Sequence, residues 1–171
     1  MSLPLSKLTT PAFVRGLTVL SDLLTKAEQH AASAGIAPET LLGARLIDDM
    51  LPLSAQIQRA SDTSKFAVSR ISGVDGPKFA DDEQTFAQLQ QRIADTIAYL
   101  ESVDTALLDA GGAREVKLNW GAKGADFTGE SYLLTFALPN FYFHIVTAYD
   151  ILRSQGVKIG KLDYLGSFGQ G

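Results

Sequence analysis

The sequence predicts an all-α protein, a four-helix bundle with a short β-hairpin or loop excursion between the third and fourth helices. Four segments carry apolar residues at helical spacing, and residue types that begin or end helices bound each of them. Of the 171 residues, 46% are hydrophobic, which is enough to enclose a core of their own. We therefore expect residues 1–171 to form a single domain.

Composition excludes several classes of function. The net charge is -4 and the lysines and arginines are scattered, whereas nucleic-acid binding needs a basic stripe. The absence of cysteine excludes disulfides, thiolate metal sites and cysteine nucleophiles. The N-terminus lacks the pattern of a signal peptide, and no apolar stretch approaches the roughly 20 residues that cross a bilayer. We expect a soluble, cytoplasmic protein without a nucleic-acid or membrane partner.

The first helix is predicted from about Thr10 to Ala34. Thr10 is a suitable cap, Pro11 suits the first turn, and Gly35 ends the pattern. Its apolar stripe comprises Phe13, Leu17, Leu20, Leu24 and Ala31.

The second helix is predicted from near Pro38 to about Ile71, with a kink or break at Pro52, because an interior proline removes a backbone hydrogen bond. Asp49 and Gln56 lie on the edge of its apolar stripe, two turns apart. Its stripe comprises Leu42, Leu46, Met50, Leu53, Ile57, Ala60, Ala67 and Ile71.

The third helix is predicted from about Asp82 to Ala110, with Asp81 or Asp82 as its cap and Gly111-Gly112 as its end. Its apolar residues follow a nearly strict heptad: Phe86, Leu89, Ile93, Ile97, Leu100, Val103 and Leu107.

The segment between the third and fourth predicted helices does not show helical spacing of its apolar residues. Residues 116–120 alternate apolar and polar before a glycine-rich turn, which predicts a short β-hairpin or an ordered loop. Residues 132–134 fit a strand or a helix equally well. The fourth helix is predicted from Leu138 to about Gln155, ended by Gly156. The tail, residues 157–171, is expected to pack on the bundle at least as far as Leu165.

His144 and Asn140 are the leading candidates for a functional site, because they stand one turn apart on the same face of the fourth helix. Such a histidine binds a metal, acts as a general base, or is buried and hydrogen-bonded to a neighbouring helix. Asp49 is either a ligand or a boundary carboxylate paired with a base. Tyr142, between two phenylalanines, either stacks on a ligand or belongs to the core.

The end of the chain carries a specific pattern. Residues 139–153 (PNFYFHIVTAYDILR), followed by Gly156-Val157 and residues 160–166 (GKLDYLG), resemble a bacterial family of unknown function in the DinB/YfiT-like superfamily. Residues 49–53 and Gln56 also look like the second helix of that family, so the resemblance spans nearly the whole chain.

The resemblance implies a bundle of up-down-down-up topology with a divalent metal site, zinc or nickel, near one end. It also implies a homodimer formed through helix faces. The better-known members hold the metal with one histidine from the second helix and an H-x3-H pair from the last. Some are similar to thiol-dependent transferases.

This sequence departs from that ligand set. His144 matches the second histidine of the pair, and Asn140 stands in the place of the first. The second helix has no histidine, so only Asp49 or Gln56 can replace it. The implied metal ligands are then His144, Asn140 and Asp49. This set contains a single imidazole, whereas zinc and nickel sites favour several. We expect a degenerate metal site.

Three functional hypotheses follow. The first is a metal-free bundle that binds a small molecule or is structural, in which the candidate residues His144, Asn140, Asp49, Gln56 and Tyr142 line a pocket or satisfy one another. The second is a metal-dependent, thiol-transferase-like enzyme with the unusual site of His144, Asn140 and Asp49. The third is a homodimeric interaction module, motivated by long helices with wide apolar faces.

Overall fold

The computed structural model describes residues 3–120 and 123–167. Within these ranges the protein is mostly helical, with one two-stranded antiparallel sheet. In chain order the elements are α1 (Leu5–Leu8), α2 (Thr10–Ala34), α3 (Pro38–Leu42), α4 (Leu53–Ser72), α5 (Phe86–Ser102), α6 (Thr105–Ala110), β1 (Glu115–Trp120), β2 (Lys123–Thr128), α7 (Gly129–Tyr132), α8 (Leu138–Ser154) and α9 (Lys161–Leu165). A 3₁₀ turn, Gly111–Ala113, follows α6, and a π-helical turn, Leu133–Ala137, joins α7 to α8.

The long helices α2, α4, α5 and α8 form the bundle, with α2 and α4 each packed between α5 and α8. Helix α4 runs antiparallel to α8 but parallel to α5, and α2 runs parallel to α8. The predicted up-down-down-up bundle is therefore confirmed. The directions follow from the pairs Gln56–His144 and Thr63–Asn140 (α4 with α8), Gln58–Arg92 and Ser61–Thr96 (α4 with α5), and Phe13–Phe141 and His30–Gly156 (α2 with α8).

The second predicted helix is broken more extensively than its apolar pattern indicates. Helix α3 ends at Leu42, and residues 43–52 are not helical. Pro52 takes an extended conformation (ψ 168°) directly before α4, which is the break expected of a proline that lacks an N–H and restricts its predecessor. The helical placement of Asp49 is therefore wrong, and Leu46 of the predicted stripe is 44% exposed.

The third predicted helix begins later and is divided. Thr85, rather than Asp81 or Asp82, caps α5, because its hydroxyl and the Gln88 side chain form a reciprocal capping box. Helix α5 ends at Ser102, and Asp104 caps the start of the short helix α6. Asp81 instead adopts a left-handed conformation (φ 59°) in the segment between α4 and α5.

The first and last helices lie close to their predicted bounds. Thr9 rather than Thr10 precedes the first helical residue of α2, and Gly35 ends it with φ 66°. The β-hairpin is confirmed, with Val116 and Leu118 buried, and residues 132–134 are helical.

The tail packs on the bundle through buried Val157 and Ile159, and α9 lies against α2. Leu162 is an exception, because it is 75% exposed. Residues 168–171 of the predicted tail lie outside the described residues. No helix of the described chain is both long and apolar enough to span a membrane.

Candidate functional site between α4 and α8

The centre of the candidate site is a hydrogen bond between His144 of α8 and Gln56 of α4. The distance from Nδ1 of His144 to Oε1 of Gln56 is 2.7 Å. Both residues are buried, at 9% and 1% exposure. The ring of Phe143 lies edge-on to the imidazole, with ring centroids 5.3 Å apart. The structure therefore brings together two of the residues that the sequence singles out.

The neighbours of Gln56 determine which nitrogen of His144 carries the proton. Gln56 donates from Nε2 to the carbonyl of Leu51, at 3.0 Å, so its oxygen faces the imidazole. An amide oxygen only accepts, so Nδ1 of His144 must be the donor. The lone pair of the neutral ring then lies on Nε2, which has no hydrogen-bond partner among the described residues and retains contact with solvent.

The imidazole is held in its neutral form. Burial, assisted by the positive charge of Arg59, lowers the pKa of His144 to about 4. With so low a pKa, the imidazole is a weak base and stays unprotonated near neutral pH. It remains a hydrogen-bond acceptor through Nε2.

Asn140 is engaged in a second contact between the same helices. Its Nδ2 donates to the hydroxyl of Thr63, at 2.8 Å. That hydroxyl donates in turn to the carbonyl of Arg59, at 2.7 Å, so the Thr63 oxygen is left to accept and the amide orientation is fixed. Each of the two α8 residues is therefore tied to α4 rather than directed at a common point.

The donor atoms that remain do not fit the metal implied by the superfamily. After these hydrogen bonds, the two predicted ligands on α8 have only Nε2 of His144 and Oδ1 of Asn140 left, whereas zinc sites use at least three protein ligands. Asp49, the predicted third ligand, is exposed in the segment between α3 and α4. Across the described ranges, no three His, Cys, Asp or Glu residues are arranged to hold a metal ion.

Tyr142 lies on a different side of α8 from His144. It lines a small crevice with Arg15 of α2 and Tyr164 of α9, and its ring contacts Phe141 at 5.4 Å between centroids. The structure therefore separates Tyr142 from the pocket residues with which the sequence grouped it.

A second polar cluster, which the sequence analysis missed, surrounds Arg92 of α5. The Arg92 side chain is 1% exposed and bonds to Asp62 (2.8 Å), Asp81 (2.6 Å) and Glu83 (2.9 Å). Burial is the largest single influence and would raise the pKa of Glu83, but the hydrogen bonds from Arg92, the backbone and Gln58, together with the charge of Arg92, outweigh it, and the pKa is lowered. The sequence signal was an arginine next to the apolar stripe of α5, preceded by the acidic run 81–83.

Cations and aromatic rings alternate beside this cluster. Phe79 lies under both Arg92 (4.4 Å to the ring centroid) and Lys65 (4.7 Å). The Phe66 ring likewise contacts both Lys65 (4.6 Å to the ring centroid) and Arg70 (5.0 Å). Such contacts stabilise desolvated cations, so they help to explain how Lys65 and Arg92 are buried.

The lowered pKa of His144 predicts a specific acid sensitivity. Between its ordinary value of 6.5 and about 4, the unfolded chain binds a proton at this residue and the folded protein does not. Stability should therefore fall as pH drops through that window, by about 1–2 kcal/mol between pH 7 and pH 5. Urea unfolding of the protein and of His144→Gln at both pH values measures the difference.

The glutamine variant should lack this loss. The lowered pKa values of Asp81 and Glu83 give stability that is lost only as pH falls below their ordinary values of 3.8 and 4.5. An identical pH dependence in the protein and in His144→Gln would contradict the neutral, buried state of this imidazole.

Comparison with known proteins identifies the family. Residues 5–165 match the domain of unknown function DUF1993. A crystal structure of a DinB family member from Shewanella denitrificans is 38% identical, covers 98% of this chain and 94% of its own, and superimposes with a TM-score of 0.89. No curated protein matches the chain. The resemblance stated from the sequence is thus confirmed, and the chain belongs to the DUF1993 family of DinB-like helical bundles.

Proposed function

We propose that this chain is a metal-independent member of its family that binds a small molecule, and that its α4–α8 polar contacts are structural. The observation that carries the metal independence is the pairing of the candidate ligands with helix α4, and the cleft beside α4 supports small-molecule binding. His144 binds Gln56, and Asn140 binds Thr63, at 2.7 and 2.8 Å. These pairs satisfy buried polar groups that a metal site would direct at an ion.

The two hydrogen-bonded pairs also give the polar residues between α4 and α8 a structural role. They lie about two turns apart along α4 and one turn apart along α8, so together they fix the register of two antiparallel helices. A slip of either helix would leave a buried amide or imidazole without a partner, at a cost of about 1–3 kcal/mol for each group.

Metal content tests the proposal. We expect tag-free protein, purified without added metal and analysed by plasma mass spectrometry, to contain far less than one equivalent of zinc or nickel. His144→Ala should leave this content unchanged and lower the free energy of unfolding by about 1–3 kcal/mol, because Gln56 loses its buried partner. His30→Ala, which changes the chain's other histidine, is the matched control.

A stoichiometric metal that is lost in His144→Ala and kept in His30→Ala would overturn the proposal. It would favour the metal-dependent enzyme with His144, Asn140 and Asp49 as ligands, and thiol-transfer assays would follow. The predicted homodimer is a separate proposal, supported by exposed apolar side chains near this contact, of which Leu51 and Phe143 are 45% and 53% exposed.

A further inference from the structure

A cleft lies between α4 and the segment 73–85 that leads to α5. Its volume is 650 Å³, within the range of about 300–1,000 Å³ typical of small-molecule sites. Its aromatic residues are Phe66 and Phe79, and its charged residues are the cations Arg59, Lys65 and Lys78 and the carboxylates Asp62, Asp75 and Asp81. None of them belongs to the implied metal-ligand set.

The segment that forms one wall of the cleft is fixed in place. A Cβ atom at Gly76 would lie 2.7 Å from the Lys65 side chain and 3.1 Å from the Tyr99 ring, so the backbone packs directly on both. The Tyr99 hydroxyl donates to the carbonyl of Val74, at 2.7 Å. A ligand would therefore meet a preformed wall and would not have to order a loop.

Aromatic rings supply the apolar part of the cleft. Phe66 is 42% exposed although it is large and apolar, and the rings of Phe66 and Phe79 both lie within 4.7 Å of the Lys65 ammonium group, measured to the ring centroids. An exposed phenylalanine edge in a concave site offers a flat ligand a surface for stacking or edge-to-face contact.

The hydrogen-bonding groups that line the cleft favour a ligand that carries hydrogen-bond acceptors. Asp62 already accepts from Lys65 and Arg92, and both oxygens of Asp81 are bonded to arginines. The acidic groups are thus largely occupied, and Asp75 is the exception: within the described ranges it makes no hydrogen bond or ion pair.

The hydrogen-bond donors of the cleft, in contrast, have fewer partners within the protein. Lys78 is exposed and makes no hydrogen bond or ion pair with any described residue. The Arg59 side chain is 42% exposed; it bonds to Asp81 through Nη2, while its Nη1 is 3.6 Å from Asp62. The three cations and three carboxylates of the lining cancel in formal charge, so the preference for an acceptor rests on the unused donors of Lys78 and Arg59.

We propose that this cleft binds a small aromatic carboxylate, with the ring against Phe66 and the carboxylate at Lys78 and Arg59. This inference rests on the proposed small-molecule function and gives it a site and a ligand class. Failure of this inference can be distinguished from failure of the metal-independence proposal, because the cleft contains none of the implied metal ligands and fragment binding is measured separately from metal content.

Fragment titration followed by amide chemical shifts tests the inference, with phenylacetate as the probe. We expect shifts concentrated in residues 59–79 and a dissociation constant in the range of about 1–10 mM, as ligand efficiency gives for a fragment of this size. Acetate, which lacks the ring, and 2-phenylethylammonium, which reverses the charge, should both bind more weakly.

Charge variants make the test specific. Lys78→Gln should weaken phenylacetate binding about two- to fivefold, and Asp75→Asn should strengthen it by a similar or smaller factor. Lys158→Gln, a change at an exposed lysine outside this cleft, is the matched control and should have no effect. Absent binding, tighter binding of 2-phenylethylammonium, or equal effects of Lys78→Gln and Lys158→Gln would overturn the inference.

Discussion

Replacing Arg92 by methionine is expected to destabilise the protein by about 3–5 kcal/mol, the largest effect of any single substitution that we predict. Methionine fills much of the same volume but removes the charge that Asp62, Asp81 and Glu83 share. Removing one partner of a buried ion pair leaves the other charge buried without compensation. Urea unfolding followed by far-ultraviolet circular dichroism measures the loss.

Arg59→Met is the matched control, because Arg59 contacts Asp62 and Asp81 from a side chain that is 42% exposed. Exposed ion pairs contribute about 0–1 kcal/mol, so this variant should remain close to the parent. Arg92→Lys keeps the positive charge but loses the several N–H donors of the guanidinium group. Its loss of unfolding free energy should lie between those of Arg92→Met and Arg59→Met. Equal losses in Arg92→Met and Arg59→Met would show that burial of Arg92 does not decide its contribution.

Gly111→Ala is expected to cost about 2–4 kcal/mol. Gly111 follows α6 with an ordinary φ of -80°, so conformational freedom is not the reason. Its Cα faces the last turn of α4, and a Cβ atom there would overlap the carbonyl oxygen of Ile71. Because backbone is harder to displace than a side chain, the end of α4 would have to shift away from the α6 turn.

The adjacent glycine provides the control. A Cβ atom at Gly112 would lie 3.0 Å from the tip of the Leu5 side chain, which can rotate away. Gly112→Ala should therefore change the free energy of unfolding by less than about 1 kcal/mol. If both alanine variants unfold at the same urea concentration, close backbone packing at Gly111 is not the determinant.

The sequence was sufficient for the bundle because its helices carry long apolar stripes. Helix α2 was predicted to within a residue at each end, since Pro11 and Gly35 mark its limits. The pattern failed at residues 43–52, where Leu46 and Met50 continue the helical spacing by chance and the chain is not helical. Periodicity alone does not distinguish an amphipathic helix from a segment that exposes its apolar residues.

The candidate site was only partly accessible to sequence reasoning. His144 and Asn140 lie on one helix, where spacing determines the face, and both contact α4 as neighbours on that face. Their partners Gln56 and Thr63 depend on how α4 packs on α8, and Asp49 was assigned on the assumption of a continuous helix. The Arg92 cluster joins α4, α5 and the connecting segment, so no single periodic pattern contains it.

The order of helices in the bundle has a consequence for how the protein is made. The first half of the chain contributes α2 and α4, and the second half contributes α5 and α8. Helices of the same half face each other diagonally, whereas the main side-by-side packing joins one half to the other. During synthesis, the N-terminal half thus leaves the ribosome before the neighbours of its apolar faces exist. Burial of these stripes can begin only when α5 has emerged and is complete only after α8, and until then the exposed stripes of α2 and α4 are surfaces on which chaperones can act.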